Sequence, residues 1–158
     1  MKISHPIPPI FDKNSKILIL GSFPSVKSRE EMFFYGHPQN RFWRVLAEIY
    51  ESEIPTSIEK KTNFLLKNNI ALWDVIGECE IVGSSDSTIK NAVPNNIDII
   101  LRQSDINQIF VNGKTAEKYY KKFLAASTGR EAICLPSTSP ANAAWSFGRL
   151  VAAWQIIK

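Results

Sequence analysis

The sequence predicts a three-layer α/β/α domain, with helices on both faces of a central, mainly parallel four-stranded sheet. Short apolar runs that end in turn residues, such as residues 17–20 before Gly21, are typical of strands buried on both faces. Between these runs, apolar residues recur at helical spacing. Strands and helices therefore alternate along the chain, which implies parallel strands joined by right-handed crossovers.

In the first half of the chain, the patterns predict two strands and two helices. Residues 16–20 carry the first apolar run. After Asn40, expected near a helix cap, the apolar residues Phe42, Val45, Leu46 and Ile49 predict an amphipathic helix. A second helix is predicted over residues 57–68, with Ile58, Thr62, Leu65 and Leu66 facing inward, and a second strand over residues 70–75. Loops are predicted at residues 21–39 and in the stretch rich in Gly, Ser and Asp after Val75.

The second half repeats the alternation. A short helix over residues 97–102 precedes a third strand over 106–111, which Asn112 and Gly113 end. A helix over 114–126, a fourth strand over 132–135 and a loop over 136–140 follow. The closing helix is predicted over residues 143–157, with one apolar face made of Phe147, Leu150, Val151 and Trp154.

Length and composition indicate one globular domain over residues 1–158. No apolar stretch is long enough to cross a bilayer, so we expect no membrane partner. The segment from Met1 to Pro9 lacks the apolar core of a secretory signal, and a cytoplasmic monomer is expected.

The cysteine inventory argues against a metal site. Cys79 and Cys134 lie far apart without neighbouring Cys or His pairs, so neither a zinc site nor an iron–sulfur cluster is expected. The net charge of +4 mildly favours a polyanionic partner. A phosphate-cradling nucleotide loop and a serine hydrolase elbow are both missing from the sequence.

Polar motifs follow the predicted strands where each strand ends. In open α/β sheets, ligands bind at the carboxyl ends of the strands. Those ends carry the motif that begins at Gly21, then Asp74, then Asn112, and finally the serines around Thr138. The sequence therefore predicts one pocket at this edge.

Three of these segments carry a family resemblance. They read Gly-Ser-Phe-Pro-Ser at residues 21–25, Phe-Tyr-Gly-His-Pro-Gln-Asn-Arg-Phe-Trp at 34–43, and Leu-Pro-Ser-Thr-Ser-Pro-Ala-Asn at 135–142. Together they resemble the motifs of the uracil-DNA glycosylase superfamily. The similarity is greatest to the hypoxanthine-DNA glycosylase family, with the mismatch-specific uracil glycosylases second.

The resemblance implies removal of a deaminated base from DNA by cleavage of the N-glycosidic bond, without a cofactor. Such an enzyme must take the base out of the stack, grip it and direct water to the sugar. Hypoxanthine in deoxyinosine is the expected target. The alternatives are uracil or xanthine as the target base. A further alternative is a catalytically silent DNA- or nucleotide-binding module of the same fold.

The resemblance also implies roles for individual residues. Tyr35, and less directly Phe34, would stack on the flipped base, although both rings could simply pack in the core. Many superfamily members place an Asp or Asn, which can orient water, where this chain has Phe23. Asn40 is our choice for that task, its alternative being a helix cap, and His37 and Gln39 are second candidates.

The remaining candidates lie at the other strand ends. Asp74 corresponds to the superfamily position that reads the base edge, and a carboxylate there could accept the N1 hydrogen of hypoxanthine or merely cap a loop. Asn112 is either pocket wall or turn residue. Ser137 and Ser139 are expected catalytic groups beside Asn40.

Two sets complete the expected site. The expected base-binding set is Gly21, Ser22, Phe23, Pro24, Ser25, Phe34, Tyr35, His37, Gln39, Asp74 and Asn112. The expected DNA-phosphate set is Ser28, Lys114, Thr138 and Asn142, with possible help from Lys27, Arg29 and Arg41.

Overall fold

A computed structural model describes residues 1–158 and contains two sheets. The strands are β1 (Lys2–Ser4), β2 (Ile17–Gly21), β3 (Ile70–Asp74), β4 (Ile76–Val82), β5 (Ser85–Pro94), β6 (Gln108–Asn112) and β7 (Ala132–Leu135). The larger sheet has the order β3-β2-β6-β7, and every neighbouring pair is parallel. The predicted four-stranded parallel sheet is confirmed.

Helices flank this sheet. They are α1 (Val26–Glu31), α2 (Phe42–Ile49), α3 (Ile58–Lys67), α4 (Asp98–Gln103), α5 (Lys114–Phe123), α6 (Ala125–Thr128) and α7 (Phe147–Trp154), followed by a 3-10 turn at Gln155–Ile157. Helix α3 packs against β3, α5 against β6 and β7, and α2 against α7. The alternation of strands and helices therefore builds the layered fold that the sequence predicts. None of the helices has the length and apolar character needed to cross a membrane.

The prediction of a loop after Val75 is wrong. Strands β4 and β5 form a hairpin there, and β1 joins it to make a second, antiparallel sheet with the order β1-β4-β5. The register between β4 and β5 shifts three times, and only Ile76 and Cys79 of β4 are buried. Because these irregularities break the period of two, no alternating pattern marks the strands in the sequence.

The predicted loop over residues 21–39 contains a helix, α1. Ser25 caps it by accepting a hydrogen bond from the Ser28 N–H at 3.1 Å. Ser28 is the only buried residue among the six of α1, so the sequence has no apolar stripe that indicates this helix.

Helix ends and faces also differ from the predictions. Helix α7 begins at Phe147 rather than at residue 143, because the Ser146 hydroxyl caps it. The helix predicted over 114–126 is divided into α5 and α6. Ile58 and Phe147, predicted to face inward, are 50% and 40% exposed, since each begins its helix and lies beyond the packed face.

The core lies between the parallel sheet and its helices. Phe42, Leu46 and Leu65 are completely buried on the helix side, and Leu18 to Leu20 are buried in β2. Each such side chain contributes about 1.5–3 kcal/mol to the free energy of folding through burial. The sheet is thereby held rigidly enough to fix the positions of the loops at its carboxyl edge.

Candidate active site

A cavity of about 280 Å³ opens at the carboxyl edge of the parallel sheet. It lies where the sequence predicts a pocket, at the ends of β2, β3 and β6. Of the expected site residues, the following line it: Gly21, Ser22, Phe23, Pro24, Ser25, Ser28, Phe34, Tyr35, His37, Asn40, Asp74, Asn112, Ser137, Thr138 and Ser139. Gln39, Lys114 and Asn142 do not line it, whereas Ser84, Asp86, Pro140 and Ala141, which were not expected, do.

One wall of the cavity is the Tyr35 ring, which is stacked on a buried phenylalanine. Tyr35 lies on Phe42 with ring centroids 4.0 Å apart and an interplanar angle of 16°. The Tyr35 backbone has φ 54°, a left-handed conformation that costs non-glycine residues free energy and is concentrated at functional sites. Burial, and then the charge of Asp74, raise the pKa of Tyr35. The phenol therefore stays neutral, and Phe42 supports its ring from one side.

Phe23 and Phe34 are both cavity wall and core. They are 7% and 2% exposed, and both touch the cavity. The imidazole of His5 stands edge-on to Phe23, at 5.9 Å between centroids, and tilted against Phe34 at 6.2 Å. Phe34 thus packs in the core and also lines the cavity.

A buried histidine and carboxylate pair closes the floor of the cavity. His5 Nε2 lies 2.7 Å from Asp74 Oδ2, and the two side chains are 2% and 5% exposed. The Ile7 backbone N–H donates to His5 Nδ1 at 3.2 Å. Since Nδ1 accepts, it carries no proton, and the hydrogen must be on Nε2. His5 is therefore a neutral imidazole that donates to Asp74 Oδ2.

His5 was missed from the sequence because it lies in a proline-rich segment far from the motifs. Strand pairing brings it to the site: β1 pairs with β4, and the His5 N–H donates to the Gly77 carbonyl at 2.7 Å. The sequence gives no local signal for the contact between His5 and Asp74, because the two residues are 69 positions apart.

The second oxygen of Asp74 faces the cavity. A Cβ added to Gly21 would come within 2.9 Å of the Tyr35 hydroxyl and still closer to Asp74 Oδ1. Every buried side-chain N or O atom in the protein has a hydrogen-bond partner. Asp74 Oδ1 has no partner, so this atom is accessible to solvent. The absence of a side chain at Gly21 lets a carboxylate oxygen and a phenol approach the same space.

Asn40 is held at the start of α2. Its Oδ1 accepts a hydrogen bond from the Phe42 N–H at 2.9 Å, while its Nδ2 has no partner within the protein. The N-cap residue of α2 is Arg41, without a side-chain capping bond, so Asn40 stands one residue before the cap. Its bond to the first N–H of the helix fixes the direction of the amide. His37 behaves similarly, because its Nδ1 accepts from the Gln39 N–H at 3.1 Å and leaves Nε2 as a donor. Gln39 itself is exposed outside the cavity.

The third motif is a chain of serine turns held by one arginine. Ser137 Oγ accepts from the Ser139 N–H at 3.1 Å, and Ser139 Oγ accepts from the Ala141 N–H at 3.2 Å. Arg41 donates to the carbonyls of Ser139 at 3.2 Å and Asn142 at 3.1 Å, and also to that of Trp145. Both serine hydroxyls keep their own protons available to donate into the cavity.

With this geometry established, comparison with known proteins places the chain in a family. The model of the uracil DNA glycosylase superfamily matches residues 8–158. The chain belongs to the uracil DNA glycosylase superfamily. It is 34% identical over 137 residues to a hypoxanthine DNA glycosylase of Methanosarcina barkeri, covering 85% of each chain.

Two further relatives come from Methanosarcina acetivorans. The chain is 36% identical over 149 residues to a hypoxanthine DNA glycosylase of that organism, covering 93% of each chain. The solution NMR structure of a protein provisionally named a uracil DNA glycosylase matches with a TM-score of 0.81, at 32% identity and 99% coverage of both chains. The α/β/α fold predicted from the sequence is therefore that of the superfamily.

Several residues expected to contact DNA phosphate have other roles in this superfamily member. The Ser28 hydroxyl is buried and accepts from the Gly36 N–H at 3.0 Å. Thr138 is fully buried, and its Oγ1 accepts from Asn112 Nδ2 at 3.0 Å. Asn142 Nδ2 donates to the Ser137 carbonyl at 3.0 Å. The Ser28 and Thr138 hydroxyls thus have partners within the protein, and their contact with phosphate stays a prediction.

The arginines near the motifs bind carbonyl groups. Arg41 holds the third motif, as described, and Arg29 donates to the carbonyls of Pro24 at 3.2 Å and Gly83 at 2.7 Å. The expected help from these two arginines in binding phosphate is therefore not supported. Lys114 is exposed at the first position of α5 and makes no ion pair.

Asp86 is the second carboxylate of the cavity and was missed because its strand was taken for a loop. Ser22 Oγ donates to Asp86 Oδ2 at 3.0 Å, and the Val26 N–H donates to the neighbouring Ser84 hydroxyl at 2.9 Å. Desolvation raises the pKa of Asp86, while the hydrogen bond from Ser22 opposes this and the charge of Asp74 adds to it. The hairpin thus brings an acidic group to the rim of the cavity, beside the first motif.

Metal ligands are not grouped at the site. No three His, Cys, Asp or Glu side chains are placed to hold a metal ion, and Cys79 and Cys134 are free thiols.

Proposed function

We propose that this protein is a DNA glycosylase that releases hypoxanthine from deoxyinosine by hydrolysing the N-glycosidic bond. The observation that carries the proposal is the joint presence, in one small cavity, of the Tyr35 ring and the open acceptor Asp74 Oδ1. Relatives at 34% and 36% identity bear the name hypoxanthine DNA glycosylase. DNA is therefore the proposed macromolecular substrate. We propose that the protein acts on it as a monomer in the cytoplasm.

The size of the cavity suits a single base. Its volume of about 280 Å³ lies just under the roughly 300 Å³ at which pockets for drug-sized ligands begin. Extruding a base from the duplex costs a few kcal/mol, and stacking on an aromatic ring returns about 1–3 kcal/mol. The Tyr35 ring, braced by Phe42, supplies such a surface without having to reorganise.

Hydrolysis requires groups for the water and for the leaving base. The water oxygen forms a bond to C1′, the bond from C1′ to N9 breaks, and the base leaves with that electron pair and ends protonated at nitrogen by the proton that water gives up. Asn40 offers a free amide N–H and a second lone pair on its fixed oxygen, which suits positioning of water. His37, Ser137 and Ser139 offer donors toward the charge that develops on the base.

The carboxylate of Asp74 suits the edge of hypoxanthine. An ionised carboxylate only accepts hydrogen bonds, and hypoxanthine carries a hydrogen on N1. Xanthine and uracil also carry ring N–H groups, so both remain the alternatives within the same chemistry.

The test is excision from oligonucleotides that contain deoxyinosine, deoxyuridine or deoxyxanthosine, followed by alkaline cleavage at abasic sites. We expect strand cleavage at deoxyinosine to exceed that at the other two. Absence of cleavage on all three substrates would overturn the proposal and favour a silent binding module, the reading that the Phe23 replacement leaves open.

Asn40→Ala tests the assignment of the water-positioning group. We expect the single-turnover rate to fall by about 10²–10³-fold, as when one preorganised polar group is removed from an active site, while binding to abasic DNA survives. The lost hydrogen bond to the Phe42 N–H should cost about 1 kcal/mol of stability. Asn40→Asp is the matched control, since it keeps the acceptor for that N–H. Wild-type rates for Asn40→Ala would remove Asn40 from the mechanism.

A further inference from the structure

We propose that His5 is a positioning residue that fixes the direction of hydrogen bonding at Asp74, so that the cavity selects bases with an N–H donor on the edge they present. The inference rests on the proposed function and deepens it. It concerns a residue that lies before the segment matched by the superfamily model, which begins at residue 8.

The first step is the immobility of the imidazole. Its Nδ1 is occupied by the Ile7 N–H, and its side chain is 2% exposed. Three aromatic rings surround it, with centroids at 5.9 Å for Phe23, 6.2 Å for Phe34 and 6.1 Å for Trp73. A flip of the ring would break the bond from Ile7 and place a ring carbon against the carboxylate, and the other tautomer would place a bare nitrogen there. The tautomer with hydrogen on Nε2 is therefore locked.

The second step is the effect on Asp74. Its Oδ2 receives the Nε2–H of His5 at 2.7 Å, which holds the carboxylate in one orientation. The other oxygen, Oδ1, is left facing the cavity beside Gly21 and the Tyr35 hydroxyl. A carboxylate has no hydrogen to give, so at Oδ1 the cavity presents an acceptor.

The third step is the consequence for the ligand. A base with a hydrogen on the ring nitrogen that meets Oδ1 satisfies this acceptor, as hypoxanthine does through N1. Unsubstituted purine has a bare N1, and its lone pair would face the lone pairs of Oδ1. A site built to hydrogen-bond a ligand group rejects the analogue that lacks it, because the buried polar atom is then left unpaired.

Asp74→Asn provides a decisive variant because it is isosteric and its amide has a direction. With His5 intact, the Nε2–H requires the amide oxygen, so the NH₂ group must take the position of Oδ1. The floor of the cavity then presents a donor in place of an acceptor. We expect the variant to bind hypoxanthine more weakly and purine more tightly than wild type, and the ratio of the two affinities to change by at least about tenfold.

The measurement is the dissociation constant of 9-methylhypoxanthine and of 9-methylpurine for the purified full-length protein, together with excision of each base from DNA. The methyl group takes the place of the sugar and removes the N9 hydrogen that free purine would otherwise offer as a donor. Asp105→Asn is the matched control, since it makes the same change at an exposed carboxylate outside the cavity, and we expect it to leave the affinity ratio unchanged. An unchanged ratio in Asp74→Asn would overturn the inference. So would wild type binding the two 9-methyl bases equally or binding neither.

The double variant Asp74→Asn with His5→Phe separates positioning from general support of the fold. Without the Nε2–H, the amide is free to rotate and present its oxygen, so part of the preference for hypoxanthine should return. If His5 only supports the fold, the double variant should bind both bases still more weakly, and the ratio of the two affinities should stay as in Asp74→Asn. The two proposals can fail separately. If wild type excises hypoxanthine but the affinity ratio does not change in Asp74→Asn, this inference is wrong and the proposed function still holds.

Discussion

At the scale of the residue, the site depends on the lack of a side chain at Gly21. Asp74 Oδ1 and the Tyr35 hydroxyl both lie where a Cβ on Gly21 would be too close to them, and each belongs to a side chain that is hydrogen-bonded elsewhere. Neither can move away without losing its partner, His5 or Asn112. The glycine is therefore required for space, since its φ is not in the left-handed region.

Gly21→Ala should lower excision while the fold survives. The added methyl group would displace Asp74 or Tyr35, and a misplacement of about 1 Å at an active site can cost about 10²-fold in rate. Single-turnover kinetics and thermal unfolding provide the measurement. Gly148→Ala is the matched control, because nothing lies within 4 Å of the added Cβ, and alanine in α7 should stabilise the helix by roughly 0.5–1 kcal/mol. Equal rates for Gly21→Ala and wild type would contradict this account of the close approach.

At the scale of the element, the β4–β5 hairpin completes the rim of the cavity. Its tip is fastened by Arg29, which donates to the Gly83 carbonyl, and by Ser84, which accepts from the first residue of α1. Asp86 of β5 then lies within hydrogen-bond distance of Ser22, in the first motif. Two segments predicted as separate loops are in fact structured and bonded to each other.

Asp86→Asn should raise stability at neutral pH. Desolvation raises the pKa of Asp86 in the folded protein above its ordinary value of 3.8, so the unfolded chain loses its proton first. Stability contributed by this group is therefore lost as pH rises through the folded pKa, and the loss persists at pH 7. Since the side chain is largely exposed, solvent screens the effect, and we expect a rise in Tm of no more than about 2–4 °C.

Thermal unfolding of wild type and Asp86→Asn between pH 3 and pH 7 checks this sign. The difference in Tm should shrink as pH falls toward the unfolded value. Glu80→Gln is the opposite control, because a hydrogen bond from Asn91 lowers the pKa of Glu80, and removing that carboxylate should reduce stability at pH 7. An Asp86→Asn protein that is less stable than wild type at pH 7 would show that the Ser22 bond outweighs desolvation.

At the scale of the whole molecule, the parallel sheet determines which surface can face DNA. All four strands point the same way, so their carboxyl ends share one edge with the cavity. The net charge of +4 acts over the whole surface, but only cations near this edge can approach phosphates beside a flipped base. Lys114 follows β6 at that edge, whereas Lys67 ends α3 just before β3, at the opposite edge.

Lys114→Gln should weaken DNA binding and reduce its salt dependence. Loss of one phosphate contact lowers the slope of log K against log salt by about 1. Fluorescence anisotropy with an oligonucleotide at several salt concentrations provides the measurement. Lys67→Gln carries the same charge change at the far edge and should leave the slope as in wild type. Equal slopes for wild type and Lys114→Gln would place the DNA path away from α5.

The sequence determined the elements whose pattern repeats locally. Apolar runs mark the four strands of the parallel sheet, and in β2 and β3 nearly every residue is buried. Such a run can be recognised within the strand itself. The same holds for α2, whose apolar stripe lies every three or four residues. The segments with Tyr35, Asn40 and Ser139 also indicated one cavity, since parallel strands end at a common edge.

Tertiary structure alone decided the remainder. His5 reaches Asp74 across 69 positions through pairing of β1 with β4, and Asp86 reaches Ser22 through a hairpin whose bulges hide its period. Arg41 and Ser28 contain groups that suit phosphate, yet protein carbonyl and N–H groups occupy them. Sequence patterns report which residues are buried along one element, whereas hydrogen-bond partners and charge neighbours are set by contacts between elements. Such contacts leave no periodic trace in the chain.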